Sequence, residues 1–295
     1  MKLSVIIPAY NRQELLIRCL ISLNRDIQGE DEYEVCVVDD GSSLNEEEIR
    51  AHVTPRYPLI WRSFPSEKGR SSARNEGIRS TSGDILVFLD SDMEAQKGFL
   101  QSHIMSHQVN LHTAVIGRIV WPKGGSFLRY IGSRGVMKLK PGETIPPWYF
   151  VTGNASIERS DLPGKIPFDE TLPAWGGEDL DLGMQLHSHS IRFAYAPDAI
   201  SYHNFTGTLR EHIYRTTLYG ELVLPILVKR HPKLKEILNL HFLKSPFWRM
   251  AIAKVFFYPA LWKAVLLDKV FIPDWWFDYL TFSAYARGWL KGINK

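Results

Sequence analysis

The sequence predicts an α/β fold, with a mainly parallel central sheet flanked by helices and a C-terminal helical extension. Three observations predict it. Leu3–Ile7, Tyr33–Val38 and Ile85–Leu89 are largely apolar runs, too short for helices and suited to strands buried on both faces. Segments with helical spacing separate them, and strands alternating with helices at this interval argue for a parallel sheet covered on both sides. Beyond about residue 209 the pattern turns mainly helical. Shifts in composition divide the chain into lobes at 1–118 and 119–208 and a tail at 209–295.

A chain of 295 residues can bury one large core, or one plus a smaller lobe. Hydrophobic content of 45% and charged content of 23% are those of an ordinary globular protein, and a net charge of +3 is too small to announce nucleic-acid binding. Cys19 and Cys36 lie in apolar settings and resemble core residues more than a disulfide pair, so a cytoplasmic location is expected. Met1–Pro8 is too short for a signal peptide or a membrane span.

Taken in order, Leu3–Ile7 is a first strand closed by Pro8. Asn11 is then placed to cap a helix with Glu14 completing a capping box, and Leu15, Leu16, Cys19, Leu20 and Leu23 follow at helical spacing. Tyr33–Val38 is a strand ending in Asp39-Asp40-Gly41-Ser42. Glu46–Val53 is helical, Leu59–Phe64 strand-like and Arg70–Ser80 helical again. Ile85–Leu89 ends in Asp90-Ser91-Asp92. The turns after these strands would gather along one sheet edge, where ligands enter open α/β sheets.

Two carboxylates spaced as in Asp90-Ser91-Asp92 share a face on an extended strand and would repel one another. A divalent cation that prefers oxygen ligands resolves that conflict, and Mg²⁺ or Mn²⁺ is the usual choice. A bare Asp-x-Asp is more often a turn, so the neighbouring motifs decide its meaning.

Ser4-Val5-Ile6-Ile7-Pro8-Ala9-Tyr10-Asn11-Arg12, Val37-Val38-Asp39-Asp40-Gly41-Ser42, Gly69-Arg70-Ser71-Ser72-Ala73-Arg74-Asn75 and Leu89-Asp90-Ser91-Asp92 together resemble the nucleotide-binding half of family two glycosyltransferases, which have the GT-A fold. The resemblance implies a UDP-sugar donor, with Pro8, Ala9, Tyr10 and Arg12 in the loop beside the nucleoside. It implies a carboxylate on the imide N–H of uracil, assigned to Asp40 first and Asp39 second. Arg70 and Arg74, one helical turn apart, would face the diphosphate. Asp90 and Ser91 would lie by the ribose or a metal-bound water, and Asp92 would ligate Mn²⁺ or Mg²⁺.

The resemblance continues past the first lobe. Val151–Ile157 is similar to the strand before the acceptor region, which sets Asn154 near the sugar. Trp175-Gly176-Gly177-Glu178-Asp179 looks like the acidic motif of inverting members, with Asp179 as general base, Glu178 shaping the site, and Trp175, Gly176 and Gly177 lining the sugar or acceptor side. Related retaining enzymes carry Asn at the position of Asp179. Capping of a helix that begins here would also account for these acids, but the resemblance favours chemistry. His203, after a strand-like Ile191–Tyr195 and an Ala196–Ile200 connection, resembles a His that completes metal coordination, alongside Asp92 and Asp90. His103 and His107 form a helical pair without a carboxylate motif and are expected at the surface.

Leu209–Val228 reads as one long helix. The tail then interleaves aromatic and basic residues, including Phe247, Trp248, Trp262, Trp275 and Trp276 with Lys244, Arg249, Lys254 and Lys263. Met250–Leu267 nearly has the length of a membrane span, but Lys254, Pro259 and Lys263 argue against one. A membrane-interface helical pair on the inner face of the membrane, packing on the core and a homodimer contact all remain open. The activity expected is inverting, metal-dependent transfer of a hexosyl or N-acetylhexosaminyl group to a glycan, lipid-linked or protein acceptor in polysaccharide, cell-surface glycan or glycoconjugate synthesis. The alternatives are a sugar-nucleotide nucleotidyltransferase, which would carry a Gly-rich loop after the first strand, and a non-catalytic carbohydrate-binding relative.

Overall fold

The computed structural model describes residues 1–25, 32–139, 143–173, 176–204, 206–254 and 271–293. They divide into two units, one of Met1–Pro122, Gly135–Glu170 and Glu178–Phe205, the other of Lys123–Arg134, Thr171–Gly177 and Thr206–Lys295.

The first unit is built on an eight-stranded sheet. Its strands are β1 (Leu3–Ala9), β2 (Tyr33–Asp39), β3 (Leu59–Ser63), β4 (Ile85–Leu89), β5 (Met93–Ala95), β6 (Thr113–Val120), β7 (Asn154–Glu158) and β8 (Arg192–His203), in the order β3-β2-β1-β4-β7-β6-β8-β5. Pairings among β3, β2, β1 and β4 and between β6 and β8 are parallel, while β7 runs antiparallel to both neighbours and β5 to β8. Helices α1 (Gln13–Asn24), α2 (Glu46–Val53), α3 (Arg70–Ser80), α4 (Phe99–Val109) and α6 (Glu178–Ser188) belong to this unit.

The central strands read as unbroken apolar runs because both of their faces are covered. All five residues of β4 are buried. Val5, Ile7, Val35, Val37, Val87 and Leu89 join Leu16, Leu20 and Leu23 of α1 on one face. Ile6, Leu86 and Phe88 join Ala155, Ile157, Phe168, Leu182 and Leu186 on the other. Side chains of opposite parity thus enter opposite cores.

Three local expectations are corrected, and one strand is added. Asn11 does not cap α1: the cap position is Arg12, both residues are left-handed, and no side chain caps the helix. His103 and His107 are buried, not at the surface, because α4 turns them toward the sheet. His103 lies 3.0 Å from Asn154 Oδ1 and 2.8 Å from Ser156 Oγ, and His107 lies 2.8 Å from the same hydroxyl. Burial holds them neutral, depressing His103 to about 3 and His107 to about 4. The Ala196–Ile200 connection is part of β8, whose register against β6 shifts between Gly117 and Arg118 and so absorbs Pro197 in a bulge. Thr113–Val120, an apolar run given no assignment from sequence, is a central strand.

In the second unit, α5 (Ser126–Gly132), α7 (Leu209–Leu218), α8 (Leu224–Arg230), α9 (Leu234–Ile237), α10 (Pro246–Lys254) and α11 (Asp274–Gly292) supply the helices. The single helix expected over Leu209–Val228 is interrupted by a π segment, Tyr219–Val223, just before Pro225. A Cβ on Gly220 or Gly288 would overlap the backbone of the opposing segment, so α11 crosses this segment at very close range. Tyr130, Leu209, Ile213, Phe277, Leu280 and Ala284 form the core. Among the described residues no helix is long and apolar enough to cross a membrane.

Candidate active site

Sheet topology decides which strand ends meet. In the parallel set, β1 and β2 pair from Leu3↔Tyr33 to Ala9↔Asp39, so Tyr10 and Asp40 leave the sheet at the same edge. The chain then crosses β1 to reach β4, making the ends of β1 and β4 a switch point, where open α/β sheets bind ligands. Antiparallel β7 brings Thr152 and Gly153 beside Asp90, whose N–H donates to Gly153 O at 3.4 Å. On the far side, β8 pairs Met93 with His203, and the Asn204 N–H donates to Asp92 O at 2.9 Å.

The focus of this edge is Arg74, only 1% exposed. Its Nη2 donates to Asp90 Oδ1 at 3.0 Å and its Nη1 to Glu178 Oε1 at 3.2 Å, while Asp179 Oδ1 lies 3.7 Å away. Arg70 approaches Glu178 at 3.8 Å. Arg70 and Arg74 of α3 therefore both turn to acids of this chain. Thr152 Oγ1 donates to Asp179 Oδ1 at 2.5 Å.

The two acids that open α6 are tuned apart. Burial pushes the Glu178 carboxyl up, but Arg74 and Arg70 outweigh it and hold it below the usual range. For Asp179 burial dominates, and the neighbouring Glu178 and Asp90 add to it against Arg74 and Thr152, raising it to about 6. An acid poised near neutrality beside one locked as a carboxylate is an arrangement suited to moving a proton.

Asp92 faces another way. Its Oδ2 lies 3.3 Å from His203 Nε2 and 3.8 Å from Arg12 Nη1. Burial works against its charge, yet His203 and Arg12 keep it below the ordinary carboxylate value. The Trp121 ring meets His203 edge-on at 4.4 Å and fixes its plane. A carboxylate oxygen and an imidazole nitrogen this close form a donor pair that fits Mn²⁺. Among the described residues no group of three or more His, Cys, Asp or Glu is arranged to hold a metal, so the remaining ligands would have to be phosphate oxygens and water.

Other expected residues fall as follows. Pro8 and Ala9 are buried at the end of β1, Tyr10 is 47% exposed, and Ser91 is half-buried in the turn after β4. Asp40 gives both oxygens to the loop before α3, accepting from Lys68 N at 2.7 Å and Gly69 N at 2.9 Å. Asp39 uses Oδ1 for the N–H and hydroxyl of Ser42. The Asn154 side chain turns inward: it is fully buried, with its amide donating to Ala199 O and Ser201 Oγ and accepting from His103. Gly176 and Gly177 belong to the second unit, with φ of 95° and 94°. A Cβ on Gly177 would meet Val223 and Leu227 within 3 Å, a fit open only to glycine. Trp175 lies outside the described residues. Thr152 lies within the Val151–Ile157 stretch, where the resemblance marks Asn154 instead, and Trp121 carries no motif that could have singled it out in the sequence.

Residues 4–164 match the sequence profile described as Glycosyl transferase family 2. The chain belongs to glycosyltransferase family 2. It is 30% identical to the uncharacterized glycosyltransferase YfnE of Bacillus subtilis (strain 168), in a match covering 69% of this chain and 64% of that protein. It is 31% identical to the validoxylamine A glucosyltransferase of Streptomyces hygroscopicus subsp. limoneus, over 64% of this chain and 48% of that protein, so it spans about half to two thirds of these relatives. Among solved structures, the Pyrobaculum calidifontis mannosyltransferase in complex with GDP-Man and Mn²⁺ has a TM-score of 0.68 at 19% identity, over 99% of this chain and 86% of that one. The fold is GT-A.

Proposed function

We propose that this family 2 member is a nucleotide-sugar-dependent glycosyltransferase that moves a hexosyl or N-acetylhexosaminyl group from a UDP-sugar to an acceptor hydroxyl, inverting the anomeric centre. The observation that carries this reading is Arg74, which gathers Asp90, Glu178 and Asp179 at the carboxyl edge of the sheet, next to the pair Asp92 and His203. Two similar proteins support it: the Streptomyces relative is a glucosyltransferase, and the Pyrobaculum mannosyltransferase holds GDP-Man together with Mn²⁺.

Asp179 takes the proton from the acceptor hydroxyl as that oxygen attacks the anomeric carbon. The bond from that carbon to the diphosphate breaks, and its electron pair leaves with the diphosphate. Thr152 and Arg74 orient the base, and Glu178 keeps the guanidinium in place. Asp92 and His203 would hold the cation, which when bound supplies positive charge against the departing diphosphate. Asp39 is the better partner for the uracil, since both oxygens of Asp40 are occupied by backbone N–H groups. Acceptors fitting this chemistry are hydroxyls of a glycan, a lipid-linked sugar or a protein.

The test is Asp179→Asn, assayed with a panel of nucleotide sugars in the presence of Mn²⁺. A positioned base contributes ~10²–10⁴-fold in rate, so transfer should fall by that factor while UDP binding persists. Wild-type transfer by this variant would remove Asp179 from the mechanism.

A further inference from the structure

The charge of this protein is divided unequally along its length. Residues 206–295 carry 14 Lys and Arg against 6 Asp and Glu, whereas residues 1–205 carry 21 against 26. Between residues 229 and 249, Lys229, Arg230, Lys233, Lys235, Lys244 and Arg249 are all exposed, and the single acid in that stretch is Glu236. Phe242, Phe247, Trp248 and Met250 are exposed in the same stretch, at 42%, 62%, 36% and 50%.

The three aromatic rings form one patch, and Met250 lies on the same helix as Phe247 and Trp248. Trp248 lies 5.5 Å from Phe242 and 5.6 Å from Phe247 between ring centres. The turn Leu240–Lys244 that carries Phe242 packs against both α9 and α10. Leu243 and Ile252 point the other way and are buried, so this end of the unit has an interior without these aromatics. Among the described aromatics of the tail, Phe277 is core, while Phe242, Phe247 and Trp248 face water.

We infer that the juxtaposition of Phe242, Phe247, Trp248 and Met250 with the lysines and arginines of the same stretch is a docking surface for an anionic lipid bilayer. Aromatic rings suit the headgroup region, and lysines and arginines beside them meet the negative surface of phosphatidylglycerol or similar lipids. A second copy of the chain would present the same positive charge to itself. A nucleic acid would satisfy the cations but leave Phe247 and Met250 in water. The inference does not depend on the sugar-transfer reading.

The experiment is flotation of the full chain with vesicles of phosphatidylcholine alone, or with about one third phosphatidylglycerol. The protein should float with the anionic vesicles and partition at least ~10-fold more weakly onto the neutral ones. Phe247→Ser with Trp248→Ser, and separately Lys235→Glu with Lys244→Glu, should each lower partitioning on anionic vesicles about tenfold or more, with melting temperature unchanged because the side chains are exposed. Failure of the wild-type chain to float, or flotation of either double variant like wild type, overturns the proposal. So does a dimer in sedimentation that Phe247→Ser with Trp248→Ser converts to monomer without any vesicle binding, since the face would then be a contact between copies.

Discussion

Arg74 Nη1 donates to Glu178 Oε1 at 3.2 Å across 104 residues of chain, with both side chains buried. The same guanidinium reaches Asp90 and Asp179, so α3, the end of β4 and the start of α6 are tied through one residue. A buried cation serving three acids is costly to remove, because Glu178 remains buried and loses its nearest counter-ion.

Arg74→Gln should therefore lose both stability and activity. Breaking a buried pair of this kind costs ~3–5 kcal/mol, seen as a lower urea midpoint. Arg74→Lys keeps the charge but not the fork of donors, and should retain more stability than Arg74→Gln while transfer stays at least ~10-fold reduced. Equal transfer by Arg74→Lys and wild type would show that the fork is dispensable.

The pH dependence of transfer should report Asp179. A base raised to about 6 by burial and by its acidic neighbours is charged above that pH and protonated below it. The rate under saturating donor should thus fall as pH drops through about 6. Removing the hydroxyl that favours the charged form, in Thr152→Val, should move this limb upward. A limb that stays in place, or moves down, would dissociate Thr152 from the base.

Asp92→Ala and His203→Ala test the donor pair directly. Each should weaken Mn²⁺-dependent nucleotide binding by ~10-fold or more in calorimetric titration, and binding measured without metal should change much less. Trp121→Ala, which only frees the imidazole plane, should have a smaller effect in the same direction.

Glu34 sets a limit on acid stability far from the site. Burial works against its charge, but the Ser82 N–H, Lys2 and Ser4 hold it down to about 2, from 4.5. A depressed carboxyl gives stability that is present above 4.5 and is lost as pH falls toward 2. Its contribution is about 2–3 kcal/mol. Glu34→Gln should flatten the unfolding free energy over that window, measured by urea melts at stepped pH.

Phe88→Ala checks the packing of β4. Phe88 is fully buried and meets Phe168 edge-to-face at 5.4 Å. Deleting the ring should cost ~3–5 kcal/mol.

Much of this architecture is legible in the sequence because burial on both faces writes itself as continuous apolar residues, as in Ile85–Leu89, and because the acids that end β2 and β4 follow those runs directly. His103 and His107 defeat such a reading for the converse reason. A histidine is placed inside by partners such as Asn154 and Ser156, which lie about fifty residues away and leave no local sign. Asn154 shows the same thing from the other side, an amide in a motif-like strand that serves the interior.

From sequence alone came the strands and helices between residues 3 and 89, the acidic turns that follow them and the resemblance to a family whose profile the chain matches, since these depend on periodicity and composition within a few residues. Only the tertiary structure decided that Arg74 serves the chain's own carboxylates, that Asp92 is paired with His203, and which of the described aromatic side chains of the tail are core. Those outcomes depend on strand order and on which side chains converge across a sheet, and a linear pattern does not carry distances between residues a hundred positions apart.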